Sequence, residues 1–514
     1  MSYSAVPLLF DKFKGIREFN GVNSSGMISA IQADNVELVQ TDLGNCTGVK
    51  SVAGNSALYE LPEKFEIKGI FESIQDNQSY KFIYAENETK GTLFYINLLN
   101  EPEILIDNLS KTGNCNALTM SSTAYDVFVF TNGKDRKTGK QIGPMTGDPT
   151  KFKSVKEIKD INAVDFLERS IHWLSMTVWN GYLVVASEYG VHASHQNDIY
   201  TWNDNPQDVA DSWYIDFSQK VTAVVSFTNG LYIFTQDDLT YLNTTPNDTA
   251  NSVMKTVAMN GCLSYQAFVK HDTYLFFYDN NQKNIYYIQI TDTGQTRPAG
   301  PVAKEIQSYF QNVKTFKMFS CIYNNRNEIW CLIDDNIMIF DYFQQEWVTR
   351  QEQNIQTVAL IDNAIYTGGS MGKVYVENIN LDFDGIFFPS VYQTTFINIG
   401  SNSNMKKQKT PLLLVLNDNY TNDFWVQLTC NGKEKNPKRV KVAKKEASYY
   451  DDALYDISTF SNDNPYSKRV VEISTPQTWY TIGVKIFTKE PAQGFYINSM
   501  ELKNIKIKTK TRGR

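Results

Sequence analysis

The chain reads as short apolar runs separated by turn residues. "SMTVWNGYLVVASEYGVHAS" (175–194) alternates apolar and polar positions around Asn180-Gly181, and "VTAVVSFTNGLYIFTQDDLTYLN" (221–243) does so around Asn229-Gly230. Asn-Gly tolerates the positive φ angles of a tight hairpin turn, so both stretches predict strand–turn–strand units. Related units are "QAFVKHDTYLFFYDNNQKNIYYIQI", "CIYNNRNEIWCLIDDNIMIFDYFQQEW" and the shorter "TVALIDNAIYTGGSMGKVYVEN". Two more precede them, "IFESIQDNQSYKFIYAENETKGTLFYINL" and "LTMSSTAYDVFVFTNG". Anchored on Tyr80, Tyr125, Tyr182, Leu231, Tyr274, Ile329 and Ile365, the units recur every 36 to 57 residues. That brackets the roughly 40–50 residues of a four-stranded propeller blade.

The expected fold is therefore mainly β, with a six- or seven-bladed β-propeller over residues 58–380. It is preceded by an N-terminal segment, 1–57, in which 35–52 would supply the strand that closes the ring and leaves few free edges. After about residue 380 the pattern changes to strands such as "TPLLLVL", "FWVQLTC" and "TWYTIGVKIFT", separated by polar, basic loops. That predicts a basic C-terminal β-sandwich domain over 381–514. Residues 134–170 are Lys-rich and turn-rich, then briefly helical, and read as a contact-loop insertion.

Composition supports an ordered, strand-rich protein: 42% hydrophobic, 20% charged, with 30 Tyr and 30 Phe. No secretory signal is read, and no apolar run approaches the roughly 20 residues of a membrane-spanning helix. The six cysteines (46, 115, 262, 321, 331 and 430) include no Cys-x-x-Cys pair. Asn-Cys or Gly-Cys recurs just before a unit at 46, 115 and 262, so these cysteines read as a repeated small residue, neither a disulfide framework nor a metal set. The net charge of −7 hides a split: residues 405–514 carry 20 Lys+Arg against 11 Asp+Glu, net +9, and the remainder 29 against 45, net −16. An acidic body with a basic C-terminal part predicts self-association or docking to another charged surface.

Candidate chemistry is sparse. His192, His195 and Asp198 stand three apart in a chain with four histidines. Zinc needs three or four ligands, each oriented by a further partner, so this spacing reads as a polar loop between strands. "GGSMGKV" (368–374) matches Gly-x-Ser-x-Gly at Ser370, but a strand follows where a helix is required and no histidine follows His271. As a phosphate loop it fails too, because Thr367 stands where a glycine is needed and no Ser or Thr follows Lys373. Asp237-Asp238, Asp334-Asp335, Asp382 with Asp384, and Asp451-Asp452 are the acid pairs a glycosidase would draw on, yet each sits in a polar turn. The basic runs 404–413, 433–445 and 503–514 suit phosphates or an acidic protein surface, without a recognisable nucleic-acid module. No catalytic, cofactor-binding or metal-binding residue is assigned, and no enzyme is expected.

Several stretches resemble the tail hub or nozzle (tail-stabilisation) proteins of short-tailed bacteriophages. They are "GVNSSGMISAIQADNVELVQTDLGNCTGVKSV"; "VHASHQNDIYTWND", with Ser194, Asn197-Asp198 and Trp202; "AVVSFTNGLYIFTQDDLTYL" followed by "NGCLSYQAFVKHDTYLFF"; and "GGSMGKVY" with "FINIGSNSNMKKQKTPLLLVL". The likeness spans nearly the whole chain and departs at 134–170. It implies a structural virion protein, assembled in the host cytoplasm, that forms a homo-oligomeric ring, a hexamer, below the portal or its adaptor. Such a ring extends the DNA channel, helps retain packaged DNA and anchors distal tail parts, touching DNA transiently and without sequence preference; the −16 charge of the body adds the expectation of an acidic lumen along which DNA slides. The resemblance requires no cofactor and no metal at His192 or His195. The residues alone leave open a carbohydrate-binding or glycan-cleaving propeller at a cell surface. A scaffold propeller of the WD type would carry Trp-Asp and Gly-His marks, which are absent from the units.

Overall fold

The computed structural model describes residues 3–18, 27–40, 47–62, 64–75, 78–97, 99–121, 126–134, 136–140, 151–154, 174–199, 201–202, 207–228, 230–290, 296–323, 326–334, 336–351, 355–379, 382–398, 405–408, 411–417, 421–442, 468–476, 478–491 and 493–508. The chain divides into two compact units, one of Ala57–Asp335 with Gln353–Val376, the other of Met1–Ser56, Asn336–Glu352 and Glu377–Arg514. Among the described residues no helix is long and apolar enough to cross a membrane.

The first unit is a β-propeller. Five four-stranded antiparallel blades follow one another along the chain, each of consecutive strands. Blade 1 is Glu66–Gln75, Gln78–Glu86, Gly91–Ile96 and Pro102–Leu109. Blade 2 is Asn116–Ser121, Asp126–Thr131, Arg136–Lys140 and Lys151–Ser154. Blade 3 is Met176–Trp179, Tyr182–Ala186, Gly190–Ala193 and Trp213–Asp216. Blade 4 is Val221–Phe227, Gly230–Thr235, Leu239–Leu242 and Met254–Ala258. Blade 5 is Phe268–His271, Tyr274–Asp279, Asn284–Ile290 and Thr296–Ala299. A hairpin, Phe316–Tyr323 with Arg326–Ile333, comes next. A closing sheet then joins Ile355–Ile361, Ala364–Gly369 and Lys373–Glu377 to Asn55–Glu60 from the start of the chain.

The first strand of each blade lies innermost. Those of blades 1 to 4 touch in sequence, that of blade 5 touches the hairpin, and the hairpin touches the closing sheet, which touches blade 1. Blades 4 and 5 meet through Phe234 stacked on Phe268, ring centroids 6.3 Å apart. Polar ties stitch this inner rim: the Thr119 hydroxyl donates to Ser73 Oγ (2.8 Å) and the Val224 amide to Ser175 Oγ (2.8 Å).

Second strands such as YLVVA, GLYIFT and YLFFYD are buried along nearly their whole length, with a continuous apolar run and no alternation, because a blade wedged between two others is covered on both faces. Trp179, Tyr182, Val184, Trp213, Val224 and Ile233 make one such interblade layer, with the Trp179 and Trp213 rings edge to face at 6.0 Å.

Three expectations shift. Asn180-Gly181 makes the expected turn, with φ of 49° and 82°. In blade 4, however, Phe227 pairs with Gly230 and the positive φ, 50°, falls on Thr228. Gly230 thus lies in the strand, and glycine is needed there because a Cβ would sit 2.2 Å from the Tyr241 ring and 2.8 Å from Leu242 O. Second, the stretch read as an insertion, 134–170, contributes the two outer strands of blade 2, Arg136–Lys140 and Lys151–Ser154; residues 141–150 and 155–170 lie outside the described residues. Third, the strand that closes the ring is Asn55–Glu60, not 35–52, whose strands Val36–Gln40 and Thr47–Ser51 pair with each other in the second unit.

The second unit gathers both ends of the chain, so the three-part division at 57 and 380 is replaced by interleaved segments. Its longest strand, Tyr496–Lys508, pairs antiparallel with Tyr3–Phe10, Thr47–Ser51, Met405–Gln408 and Leu412–Asn417. Ile482–Phe487 pairs with Phe424–Cys430 and with Val391–Thr394, which pairs in turn with Met27–Asp34. A sandwich would divide its strands between two facing sheets. Here the pairings link these strands into one sheet.

Asn336–Glu352 belongs here because its charges are answered here. Glu346 accepts the Gly15 amide (2.9 Å) and pairs with Lys14 (2.8 Å) and Arg17 (3.1 Å). The Arg350 guanidinium pairs with Glu377, their side chains 2% and 0% exposed, while Glu377 also accepts Asn55 Nδ2 at 3.1 Å.

Two substitutions test these contacts by urea denaturation. Gly230→Ala loses about 1–3 kcal/mol through overpacking; an unchanged midpoint removes the proposed reason for that glycine. Arg350→Met loses about 3–5 kcal/mol by stranding the Glu377 carboxylate, and adding Glu377→Gln restores much of it. Equal losses in the single and double variants would mean that the pair carries no coupling.

Candidate functional site

The loop that holds His192, His195 and Asp198 folds over the Asn180-Gly181 turn. The Asn197 amide donates to Gly181 O (2.6 Å) and Gln196 Nε2 to Asn180 O (2.9 Å). Ser194 Oγ accepts the Leu183 amide (3.0 Å), and the buried Trp202 indole donates to Ile199 O (2.8 Å). The three candidate ligands are directed to different partners. His192 Nε2 lies 3.1 Å from Ser187 Oγ with its ring stacked on Tyr214. His195 Nε2 lies 3.4 Å from Asp211. Asp198 accepts the Thr201 hydroxyl at 2.7 Å. Among the described residues no group of three or more His, Cys, Asp or Glu is placed to hold a metal. Burial pushes the His192 imidazole down to about 4, with Asp216 pulling weakly the other way. Burial also lowers His271, whose Nδ1 is 2.9 Å from Ser320 Oγ.

The acids fall into a pattern the sequence reading missed. At or just beyond the end of each second strand stands a short polar residue that fastens a neighbouring loop. In blade 1 Glu86 accepts the Thr112 and Gly113 amides, both at 2.9 Å. In blade 2 Asn132 donates to Ser110 O at 2.8 Å. Ser187 donates to Gly190 O (3.1 Å) in blade 3, and Thr235 accepts the Asp238 amide (2.9 Å) in blade 4. In blade 5 Asp279 accepts the Asn281 amide (2.8 Å) and Asn260 Nδ2 (2.6 Å). After the hairpin's second strand, Asp334 accepts the Thr315 amide at 2.8 Å. Desolvation works to raise the Asp334 carboxyl, but the hydrogen bonds from Thr315 and Lys314 outweigh it and hold the group below its ordinary value.

The remaining candidates are also placed locally. Asp237 accepts Asn281 Nδ2 (2.8 Å), and Asp382 accepts the Gly385 amide (3.0 Å). Ser370 sits in the turn between Ala364–Gly369 and Lys373–Glu377, with Gly372 at φ 72° and a strand next. Asp335, Asp451 and Asp452 lie outside the described residues. Two of the basic runs come together: Met405–Gln408 pairs with Tyr496–Lys508, setting Lys407 opposite Lys506. From the third run, Lys433–Glu434 and Lys438–Val440 flank Phe424–Cys430. Cys115 and Cys262 are buried free thiols that burial pushes up to about 12, which makes them unreactive at neutral pH.

One polar cluster had no counterpart in the sequence reading. Near the start of the inner strands, Lys68 Nζ donates to Gln356 Oε1 (2.7 Å) and pairs with Glu66 (2.8 Å). From the other side of the same residue, Lys317 Nζ donates to Gln356 O (2.9 Å). The Tyr265 hydroxyl, just ahead of blade 5, donates to Cys115 O, just ahead of blade 2, at 3.2 Å. The lysines within the strand-like runs "EIKGIF" and "TFKMFS" were the available signal.

No family model and no curated protein matches the chain. Solved structures with some similarity include BamB from Moraxella catarrhalis, at 9% identity and a TM-score of 0.36, covering 74% of this chain and 98% of that one. Another is the computationally designed Ika8 protein, at 10% identity and a TM-score of 0.33, covering 63% of this chain and all of that one. The blade architecture described above rests on strand pairing.

The histidine burial has a pH signature. Because the folded His192 pKa lies below the unfolded value near 6.5, the unfolded chain binds the extra proton first. Stability is then fully present above pH 6.5 and falls as pH drops toward 4. His192→Gln narrows the wild-type loss by on the order of 1 kcal/mol at pH 5 in urea titrations. Parallel pH profiles for the two proteins would contradict the burial of a neutral imidazole.

Proposed function

We propose that this chain is a structural, non-enzymatic protein of a bacteriophage tail. In this reading it is a hub or nozzle ring below the portal or adaptor that extends the DNA channel, helps retain packaged DNA and anchors distal tail parts. The observation that supports it most is the use made of the polar residues. Polar residues from Glu86 to Asp334 fasten loops at the ends of the second strands, an arrangement suited to mechanical stiffness. The sequence likeness to tail hub proteins points the same way. We read the hairpin 316–333 as part of a further blade between blade 5 and the closing sheet, for seven blades in all.

Copies would assemble head to tail, since a ring needs two different complementary surfaces on each subunit. The −16 and +9 segments supply charges of opposite sign for this. The acidic lumen would lie between copies, because the inner strands of the propeller carry Lys68, Lys270 and Lys317. DNA would touch that lumen transiently and without sequence preference. The protein would be assembled in the host cytoplasm and carried in the virion, with no cofactor.

Light scattering on the purified full chain and immunogold labelling of virions test this. A six-subunit mass and labels at the head–tail junction are expected. A monomer that binds sugars on a glycan array, with no virion label, would replace this reading with the carbohydrate-binding one.

A further inference from the structure

The cluster between Lys68 and Lys317 is built by five inner-rim positions in ring order: Tyr265 before blade 5, Lys317 on the hairpin, Gln356 on the closing sheet, Glu66 and Lys68 on blade 1, and Cys115 before blade 2. The Tyr265–Cys115 hydrogen bond joins the two ends of that arc, so the groups between them face a common axial space. Cys115 lies against blade 1 itself, since a Cβ on Gly69 would come within 2.6 Å of its sulfur.

Charge in this space is not balanced. Lys68 has Glu66 as an ion-pair partner and is 11% exposed. Lys317 is partly buried, and its one hydrogen bond among the described residues goes to a neutral carbonyl, Gln356 O. An ammonium carries three N–H donors, and a desolvated one without a counter-charge is expensive to keep. Burial accordingly lowers the Lys317 amine from its ordinary value; neighbouring Lys68 adds to the effect, and Glu66 opposes it. Two ammonium groups and one carboxylate thus converge on Gln356, a net excess of one positive charge.

We propose that this axial cluster is a binding site for a small oxyanion of the phosphate or sulfate class, held by Lys317 and supported by Lys68. The anion neutralises the Lys317 charge and accepts its remaining donors. The Tyr265–Cys115 bond bounds the space on the far side, which suits a small ion and not a polymer strand. The site stands whether or not the chain belongs to a phage tail.

The probe is inorganic phosphate added to the full chain at pH 7, with chloride matched for ionic strength. Expected results are a saturable rise in Tm and broadening of the phosphorus NMR line. Lys317→Met weakens binding by about tenfold or more, Lys317→Arg retains it, and Lys433→Gln, on an exposed strand, leaves it unchanged. An unbroadened phosphorus line with the wild-type protein overturns the proposal without recourse to any variant. So does a folded Lys317→Met protein that binds as tightly as the wild type.

Discussion

A ring of blades holds only if its last wedge meets its first, because an open ring leaves two flat apolar sheet faces and a strand edge in water. Here the meeting is made by Asn55–Glu60, which leaves the start of the chain to become the outer strand of a sheet whose other members lie some 300 residues later. The seam is then filled with side chains from both partners. Tyr59, Leu61, Ile361, Tyr366, Val374 and Val376 pack with Phe65, Ile67, Ile83, Phe94 and Ile96 of the first blade and its lead-in. Each fully buried side chain of this kind contributes about 1.5–3 kcal/mol, so closure is held by a hydrophobic layer as well as by backbone hydrogen bonds.

The rest of the propeller follows from that closure. Once every blade has two neighbours, its second strand is buried on both faces and is written as a continuous apolar run. Many of the polar side chains gather at the rims. On one rim they become the loop fasteners that end the second strands, from Glu86 to Asp334. On the inner rim they tie one first strand to the next, as Ser73 does with Thr119 and Ser175 with Val224. Of the acids that looked like catalytic pairs, Asp334 and Asp382 accept backbone amides and Asp237 accepts Asn281 Nδ2. A carboxylate that receives two amides holds a loop more firmly than a neutral acceptor would.

The sequence made the blades legible where a local rule governs them. Asn180-Gly181 specifies its turn, and the apolar runs specify second strands, because both signals lie within a few residues. Asn229-Gly230 misled because Thr228 takes the left-handed conformation and the glycine answers a distant ring, Tyr241. The outer strands RKTGK and KFKS of blade 2 were hidden because their sequences hold too few apolar residues to show an alternation. Closure by 55–60 and the grouping of Asn336–Glu352 with both chain ends depend on partners hundreds of residues away. No local pattern reports such pairings. The histidine loop was legible as a loop, but its role in capping the Asn180-Gly181 turn was not.

Charge in the second unit completes the argument. Several of its carboxylates are already engaged: Glu346 by Lys14 and Arg17, Glu377 by Arg350, and Asp423 by Arg439 at 3.0 Å. Meanwhile two lysine-bearing strands lie side by side with Lys407 directly across from Lys506. The pairing of these strands rests on the backbone ladder, while the carboxylates named above are taken up by arginines and lysines within the unit.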